Sequence, residues 1–503
     1  MSHKTHMNGN GESYNSVLPA KQPNEGQGGP KEVVEGRLLT RENAEQFNPC
    51  RTQSRESGPN GLERVREAAK KDGKLQFTAL LHHVNIDLLR DSYHSLKKKA
   101  APGVDGTTWQ EYGQELEEHL QDLHGRIHRG AYQAQPSRRV WIPKADGRER
   151  PLGIAALEDK VVQHAVGTVL NQIWEEDFLG FSYGFRPGRS QHDALDALYA
   201  GITRKRVNWV IDLDIRSFFD KIEHDWMIRF VEHRIGDQRI VRLIQKWLKA
   251  GVVEQGQWNE TKEGTPQGAV ISPILANLYL HHALDLWVEQ WRKKQAKGDV
   301  IIVRYADDAV LGFQHQDEAE RFLAELRERL AKFGLELHPE KTRLIEFGRY
   351  AAERRKKRGE GKPETFNFLG FTHICGTSHK TGYFTVRRKT MGKRLAAKLK
   401  DIKAKLRARL HGAIGDTVKW LKAVVRGYFQ YHAIPDNEER LKTFRHEILR
   451  LWLRQLRRRS QRSRWTWERF LEKLGTQLPE IQILHPYPNE RFDARIRGWN
   501  RVR

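Results

Sequence analysis

The chain has 503 residues, enough for about two to four domains. Its 88 Lys and Arg against 64 Asp and Glu leave a net charge of +24, which favours a polyanionic partner, nucleic acid before an anionic membrane surface. Two cysteines, Cys50 and Cys375, exclude a disulfide scaffold and a four-cysteine zinc site and suit a reducing, cytoplasmic setting. No run approaches the roughly 18 apolar residues of a membrane span, and the polar N-terminus lacks the apolar core of a secretory signal.

Residues 1–60 are rich in Gly, Asn, Ser, Gln and Glu and read as a disordered arm. A helical pattern begins near "GLERVREAAKK", opening an N-terminal helical extension over 61–125. Over 126–375 helical and strand periods alternate, which predicts an α+β domain. Within it "NWVIDLDIRSFFDKI" (208–222) reads as a strand. Alternation puts Trp209, Ile211 and Leu213 on one face and Val210, Asp212 and Asp214 on the other. "VIIVRYADDAVLGF" (300–313) reads as a hairpin of two apolar strands around Asp307 and Asp308. Asp317 to Phe333 is predicted as a helix, with Asp317 as N-cap, Ala319, Phe322, Leu323, Leu326, Leu330 and Phe333 on one face, and Gly334 as its end. "YAAERRKKRGEGKP" (350–363) reads as a basic loop. From 376 to 480 the chain is basic and reads as helical, followed by a tail over 481–503.

An adjacent Asp pair between apolar strands has two readings: an exposed turn, where Asp is common, or a metal site. If the 208–222 strand lies beside the hairpin, Asp214 joins Asp307 and Asp308. Two Mg²⁺ ions would then offset a clustering of charge that is otherwise costly to desolvate. Spacing makes this convergence economical without establishing it.

The order of motifs adds to this. "APGVDG" (101–106), "RRVWIPKADGRERPLGI" (138–154), "SYGFRPGRSQHDAL" (182–195), "DIRSFFDKI" (214–222), "GTPQGAVISPILANLYLHHALD" (264–285), "RYADD" (304–308), "LHPEKT" (337–342) and "FNFLGF" (366–371) stand in one sequence that resembles the bacterial group II intron-encoded reverse transcriptases with maturase activity. The resemblance implies an α+β right-hand polymerase, with fingers and an antiparallel palm sheet plus helices, followed by a basic α-helical thumb/maturase domain. It implies an RNA-directed DNA polymerase that uses two Mg²⁺ ions, an RNA template, a DNA primer, dNTPs and its intron RNA, acts in splicing and retrohoming, and meets the nucleoid during integration. A homodimer is left open.

Residue by residue, Asp214, Asp307 and Asp308 match the catalytic carboxylates, and Ile215 would lend a backbone oxygen to a metal. Lys144, Arg150, Gln267, Gly268 and Lys341 match nucleotide-binding positions. Phe219 matches the steric gate that excludes a 2′-hydroxyl, with either Phe218 or Phe219 expected in the core. Phe368, Leu369, Gly370 and Phe371 match the primer grip. Relatives often carry a second glycine where this chain has Ala269.

The run "RRKTMGKRLAAKLKDIKAKLRARL" (387–410) reads as an amphipathic helix whose unbalanced charge suits RNA. Arg387, Arg388 and Lys389 are its first candidates. Arg457, Arg458, Arg459 and Arg462 form a second basic cluster, interleaved with Trp452, Trp465 and Trp467 as possible base-stacking groups. The paired cysteines of the endonuclease found in some family members do not occur, so a member lacking that activity is expected. Two further readings stand beside the first: the same polymerase lineage serving antiviral defence or a CRISPR system, and an RNA-binding splicing factor with an inactive polymerase site.

Overall fold

Helix α5 (Leu157–Asp177) buries fourteen of its 21 residues, from Leu157 to Trp174. Four of the fourteen are polar, Asp159, Gln163, His164 and Asn171, so neighbours on several sides bury it rather than an all-apolar surface, and it lies within the main core of the computed structural model. The structure describes residues 61–143, 149–254, 256–261, 263–265, 268–378, 381–460 and 463–499. The expectation for 1–60 lies outside them, as do Lys144, Gln267 and Arg462.

Around α5 pack α1 (Gly61–Lys71), α2 (Ile86–Ser95), α3 (Trp109–Tyr112) and α4 (Leu116–His128). A first sheet has the order β2-β1-β4-β5, from β1 (Ser137–Pro143), β2 (Glu149–Ile154), β4 (Val252–Glu254) and β5 (Gln257–Asn259). Between them in sequence run α6 (Gln191–Arg204), β3 (Trp209–Asp214), α7 (His224–Glu232) and α8 (Gln238–Lys249). Ser190 opens α6 with a capping box, its side chain accepting from Asp193 N–H while the Asp193 carboxylate accepts from Ser190 N–H.

The central sheet has the order β6-β7-β3-β8, from β6 (Val300–Tyr305), β7 (Asp308–Phe313), β3 and β8 (Arg343–Glu346), all antiparallel. It is buried on both faces. Ile211, Leu213, Ile302 and Leu311 join the core built on α5 and α9 (Ser272–Leu280). Val210, Val303 and Val310 join a second core with Phe366, Phe368 and Phe371. The alternation expected for 208–214 is therefore the alternation observed. After α9 come a π-helical turn (His281–Asp285), α10 (Leu286–Lys294) and, beyond the hairpin, α11 (Gln316–Ala331).

Helix α11 buries Ala319, Phe322, Leu326 and Leu330 as expected. Its N-cap is His315 rather than Asp317, which with Glu318 sits in the first turn, where the helix dipole favours acids. Gly334, at φ +65°, closes the helix: its N–H reaches Ala331 O at 3.2 Å, and Leu335 N–H reaches Leu330 O at 3.0 Å.

Two further expectations are corrected. The 350–363 segment contains a helix, α12 (Ala351–Lys357). The segment from 387 opens in a strand, not a helix: β9 (Phe366–Phe368), β10 (Phe371–Thr377) and β11 (Phe384–Thr390) form a third antiparallel sheet. Helix α13 (Gly392–Ala408) begins only after β11 and is followed by α14 (Ile414–His432), α15 (Glu438–Arg457) and α16 (Trp467–Lys473). A third core, from Leu395 to Leu478, belongs to this region alone. The class is α+β with a helical C-terminal region. Helix α17 (Pro488–Trp499) returns to the second core through Phe492 and pairs Arg495 with Asp193 at 3.2 Å.

Candidate active site

Strand β3 ends on Asp214 and β7 begins on Asp308, and the register sets these two residues opposite each other. Opposed residues of antiparallel strands lie about 4.5–5.5 Å apart at Cα. Asp307 belongs to the two-residue turn between β6 and β7, since Tyr305 pairs with Asp308. The hairpin thus brings all three predicted carboxylates to one end of the sheet. Asp308 is 8% exposed, and Asp307 and Asp214 are half-buried.

The turn is strained and braced. Ala306 precedes Asp307 at φ +57°, a left-handed conformation that costs a residue with a Cβ roughly 1–2 kcal/mol. Gly184 packs so closely that a Cβ there would stand 2.2 Å from Ala306 N. Arg304, fully buried in β6, donates to the Ala306 carbonyl at 2.9 Å. Neither Gly184 nor Arg304 stood out in the sequence reading, although both lie inside quoted motifs. The signal for Arg304 was present: a guanidinium within an otherwise apolar strand needs a buried partner.

The 336–342 segment supports Asp214 from the other side. Arg216 N–H donates to Glu336 O and His338 N–H to Asp214 O, both at 2.8 Å. These bonds come from the neighbours of Ile215, which forms an isolated bridge with Leu337. In a bridge of this kind the hydrogen bonds belong to the flanking residues, so the Ile215 carbonyl takes no part in it. Lys341 Nζ lies 2.7 Å from Asp214 Oδ2, so the structure takes this residue to a carboxylate. Asp212 has its own partner, Arg343, at 3.6 Å.

Phe218 is 3% exposed and joins the core, whereas Phe219 is half-buried and packs against both the main and the second core. Gly264 and Thr265 press on the same turn: Thr265 N–H donates to Phe219 O at 2.8 Å, and a Cβ on Gly264 would stand 2.9 Å from that oxygen. Gly268, at φ +111°, abuts β2, where a Cβ would lie 2.8 Å from Gly153 O. Only glycine takes such a backbone angle with ease. This close approach joins the Gly268 loop to the strand carrying Arg150, which pairs with Ile142.

The primer-grip motif is a tight turn, with Leu369 at φ +47° and Gly370 at φ +85°. The side chains of Phe368, Leu369 and Phe371 are buried in the second core. The turn's carbonyls are engaged as well: Leu369 O accepts from Tyr431 Oη at 2.6 Å and Gly370 O from Met391 N–H at 3.1 Å.

Arg388 is corrected outright. Strand alternation turns it inward, where it is 1% exposed and pairs with Asp196 at 3.0 Å. Arg387 and Lys389 face outward; Arg387 donates to Thr377 O at 2.9 Å, and Lys389 pairs with Glu439 at 2.6 Å. Trp452 is a core residue at 1% exposure, so it stacks on no base. Arg458 is exposed, while Arg457 and Arg459 donate to the carbonyls of Trp465 and Gly412 at 2.9 and 2.5 Å.

Among the described residues no three His, Cys, Asp or Glu side chains already form a metal-binding cluster. The chemistry of the strand ends nevertheless fits Mg²⁺, which takes hard oxygen donors supplemented by water and phosphate. Asp214 already holds one cation, the Lys341 ammonium, at this position.

The reverse transcriptase (RNA-dependent DNA polymerase) profile matches residues 142–373. The chain belongs to the reverse transcriptase family. It is 39% identical to protein YkfC of Escherichia coli K12, across 45% of this chain and 68% of that protein. It is 35% identical to the group II intron-encoded protein LtrA of Lactococcus lactis, across 46% of this chain and 39% of LtrA. A 91 kDa protein of the cob intron of Schizosaccharomyces pombe is 41% identical across 35% of this chain and 22% of its own length. The chain thus spans less than half of these two intron proteins. Among the described residues no helix is long and apolar enough to cross a membrane.

Proposed function

We propose that this reverse transcriptase extends a DNA primer on an RNA template with Asp214, Asp307 and Asp308 as its metal-holding carboxylates. The observation that carries the reading is the register of Asp214 against Asp308, with Asp307 on the adjoining turn. Two bound Mg²⁺ ions would supply charge to the attacking 3′-hydroxyl and the departing pyrophosphate. The carboxylates would hold the ions, helped by the Ile215 carbonyl. Arg150 and Lys144 would grip the triphosphate, Arg as a fork and Lys as a point charge. Phe219 would lie beneath the sugar. Gln267 and Gly268 would pack against the nucleotide, and the Leu369–Gly370 turn would steady the primer end. Primer extension on an RNA template with Mg²⁺ and dNTPs tests this. No product from an RNA template would overturn it.

The likeness to LtrA and to an intron-borne fungal protein supports a second layer: binding of a group II intron RNA as a splicing maturase, and retrohoming into DNA at the nucleoid. The basic helices α13 and α15, which close over their own apolar core, are what this reading assigns to intron RNA. Intron splicing with and without the protein checks it.

A further inference from the structure

A buried polar network lies beneath the turn that carries Asp307. Arg304 and Asp285 are both 0% exposed. Arg304 Nε and Nη2 donate to the two Asp285 carboxylate oxygens at 2.7 and 2.5 Å. Nη2 also donates to Ser182 Oγ at 2.7 Å, and Nη1 donates to Asn277 Oδ1 at 3.1 Å and to the Ala306 carbonyl at 2.9 Å. A guanidinium has five N–H groups, and all five are used here. Asp285 reaches this position at the end of a π-helical turn, His281–Asp285, a local widening of the helix that recurs at functional sites.

The fold alone does not call for this arrangement. Exchanging a buried ion pair for apolar residues of similar volume is often neutral or stabilising. What the pair provides is direction. One of the five acceptors is the carbonyl of the left-handed residue immediately before Asp307. A second strut acts on the same turn: Asn277 Nδ2 donates to Gly184 O at 2.6 Å, and Gly184 lies against Ala306 N with no room for a Cβ. The turn is held through its carbonyl by Arg304 and through its amide edge by Gly184, and Asn277 links the two.

We propose that Arg304, anchored by Asp285, is a positioning residue for the metal-holding hairpin: it fixes the Ala306 carbonyl and thereby the directions of Asp307 and Asp308. The inference rests on the polymerase reading of those aspartates. Lysine cannot replace Arg304, because an ammonium has three donors and no planar fork.

The test is a double variant of the full chain, Asp285→Leu with Arg304→Met, which removes both buried charges and leaves neither orphaned. Its melting temperature should lie below that of the unaltered protein, because Ser182 Oγ, Asn277 Oδ1 and the Ala306 carbonyl lose their donor, but above that of Asp285→Leu alone, which orphans a buried charge. Amide hydrogen exchange over residues 306–308 should speed up in the double variant, while exchange in α5 stays unchanged. In primer extension kcat should fall by on the order of 10²-fold, the loss expected when a reacting group shifts by about 1 Å. The KM for dNTP should stay within about twofold, because binding is not what is lost. A stable double variant with unaltered exchange at 306–308 and unaltered kcat overturns the proposal. Absence of primer extension by the unaltered chain would instead sink the polymerase reading, and the exchange measurement would then judge the clamp by itself.

Discussion

Lys341 Nζ stands 2.7 Å from Asp214 Oδ2, where the 337–342 segment runs beside the end of β3. An ammonium on Asp214, at the sheet end that also carries Asp307 and Asp308, does in the free protein part of what a divalent cation would do there: it offsets negative charge. The Lys341 side chain is 54% exposed, and exposed pairs contribute about 1 kcal/mol at most. Lys341→Met should therefore tighten Mn²⁺ binding to the nucleotide-free protein by a few-fold, about fivefold at the upper end. Electron paramagnetic resonance titration reads this directly, and unchanged Mn²⁺ affinity would remove Lys341 from the metal site.

Asp307→Asn keeps the size of the side chain and removes its charge. Loss of a metal ligand forfeits several kcal/mol of transition-state charge stabilisation, so DNA synthesis should fall by on the order of 10³-fold or more. RNA affinity should remain at the level of the unaltered chain, because the basic surfaces lie elsewhere. Filter binding beside primer extension separates the two effects. Substantial synthesis by this variant would contradict the carboxylate assignment.

The half-buried Phe219 and the core Phe218 give opposite expectations. Phe219→Ala should admit ribonucleotides at a smaller cost in stability than Phe218→Ala. Phe218→Ala should cost about 3–5 kcal/mol of stability, as large-to-small core changes do, and leave sugar selectivity alone. Ribonucleotide incorporation and thermal melting of the two variants settle which ring lies beneath the sugar.

Why the site was legible in the sequence and its supports were not comes down to the range of the interactions. Asp307 and Asp308 stand in a short apolar hairpin that a local pattern reads, but the strand read over 208–222 stops at Asp214 and gives way to a 3-10 turn at Phe218–Asp220, and the order of motifs, not local pattern, joins the three aspartates. The N-cap at His315 instead of Asp317 is a shift of the kind that local signals do not resolve. "RRKT" carries the same charge run as the helix behind it, yet it belongs to a strand, and alternation over 384–390 turns Arg388 inward. Its partner Asp196 lies 192 positions away, and no pattern in either segment announces the other. Arg304 does signal a buried partner, but nothing in its strand names Asp285, 19 positions away; α17, whose Arg495 returns to Asp193, carries no such signal at all. Long-range pairing of buried charge is decided by the fold.

Several histidines are buried, and burial lowers their proton affinity. His373, beside Arg388 and stacked on Phe366 at 4.7 Å, is pushed down to about 3 from 6.5 by desolvation first and by Arg388 second. His281, His282 and His432 are pushed down to about 3 as well, each chiefly by burial. A lowered histidine pKa means that the unfolded chain takes up protons that the folded one refuses. The stability these groups contribute is complete above pH 6.5 and is lost as pH falls toward 3. His373→Phe should recover about 2 kcal/mol of the stability lost between about pH 6.5 and 4.5. Denaturant melts at the two pH values measure it. An identical pH dependence in the variant would mean that His373 protonates in the folded state.

Two arginine clusters that look alike in sequence should behave differently toward RNA. Arg388 and Asp196 are each 1% exposed at the side chain, and breaking such a pair leaves a buried charge at a cost of about 3–5 kcal/mol. Arg491 also reaches Asp196, which places the cost of Arg388→Met at the lower end, about 3 kcal/mol. The salt dependence of RNA binding should not change, because Arg388 reaches no phosphate. Neutralising Arg457, Arg458 and Arg459 to Gln should do the reverse. Each phosphate contact contributes about 0.7–0.9 to the slope of log affinity against log salt. The exposed Arg458 together with the backbone-anchored Arg457 and Arg459 should lower the magnitude of that slope by about 1 to 2, with little change in melting temperature. A flattened slope in Arg388→Met, or an unchanged one in the triple variant, would show that the RNA-facing surface lies on a different side of the third core.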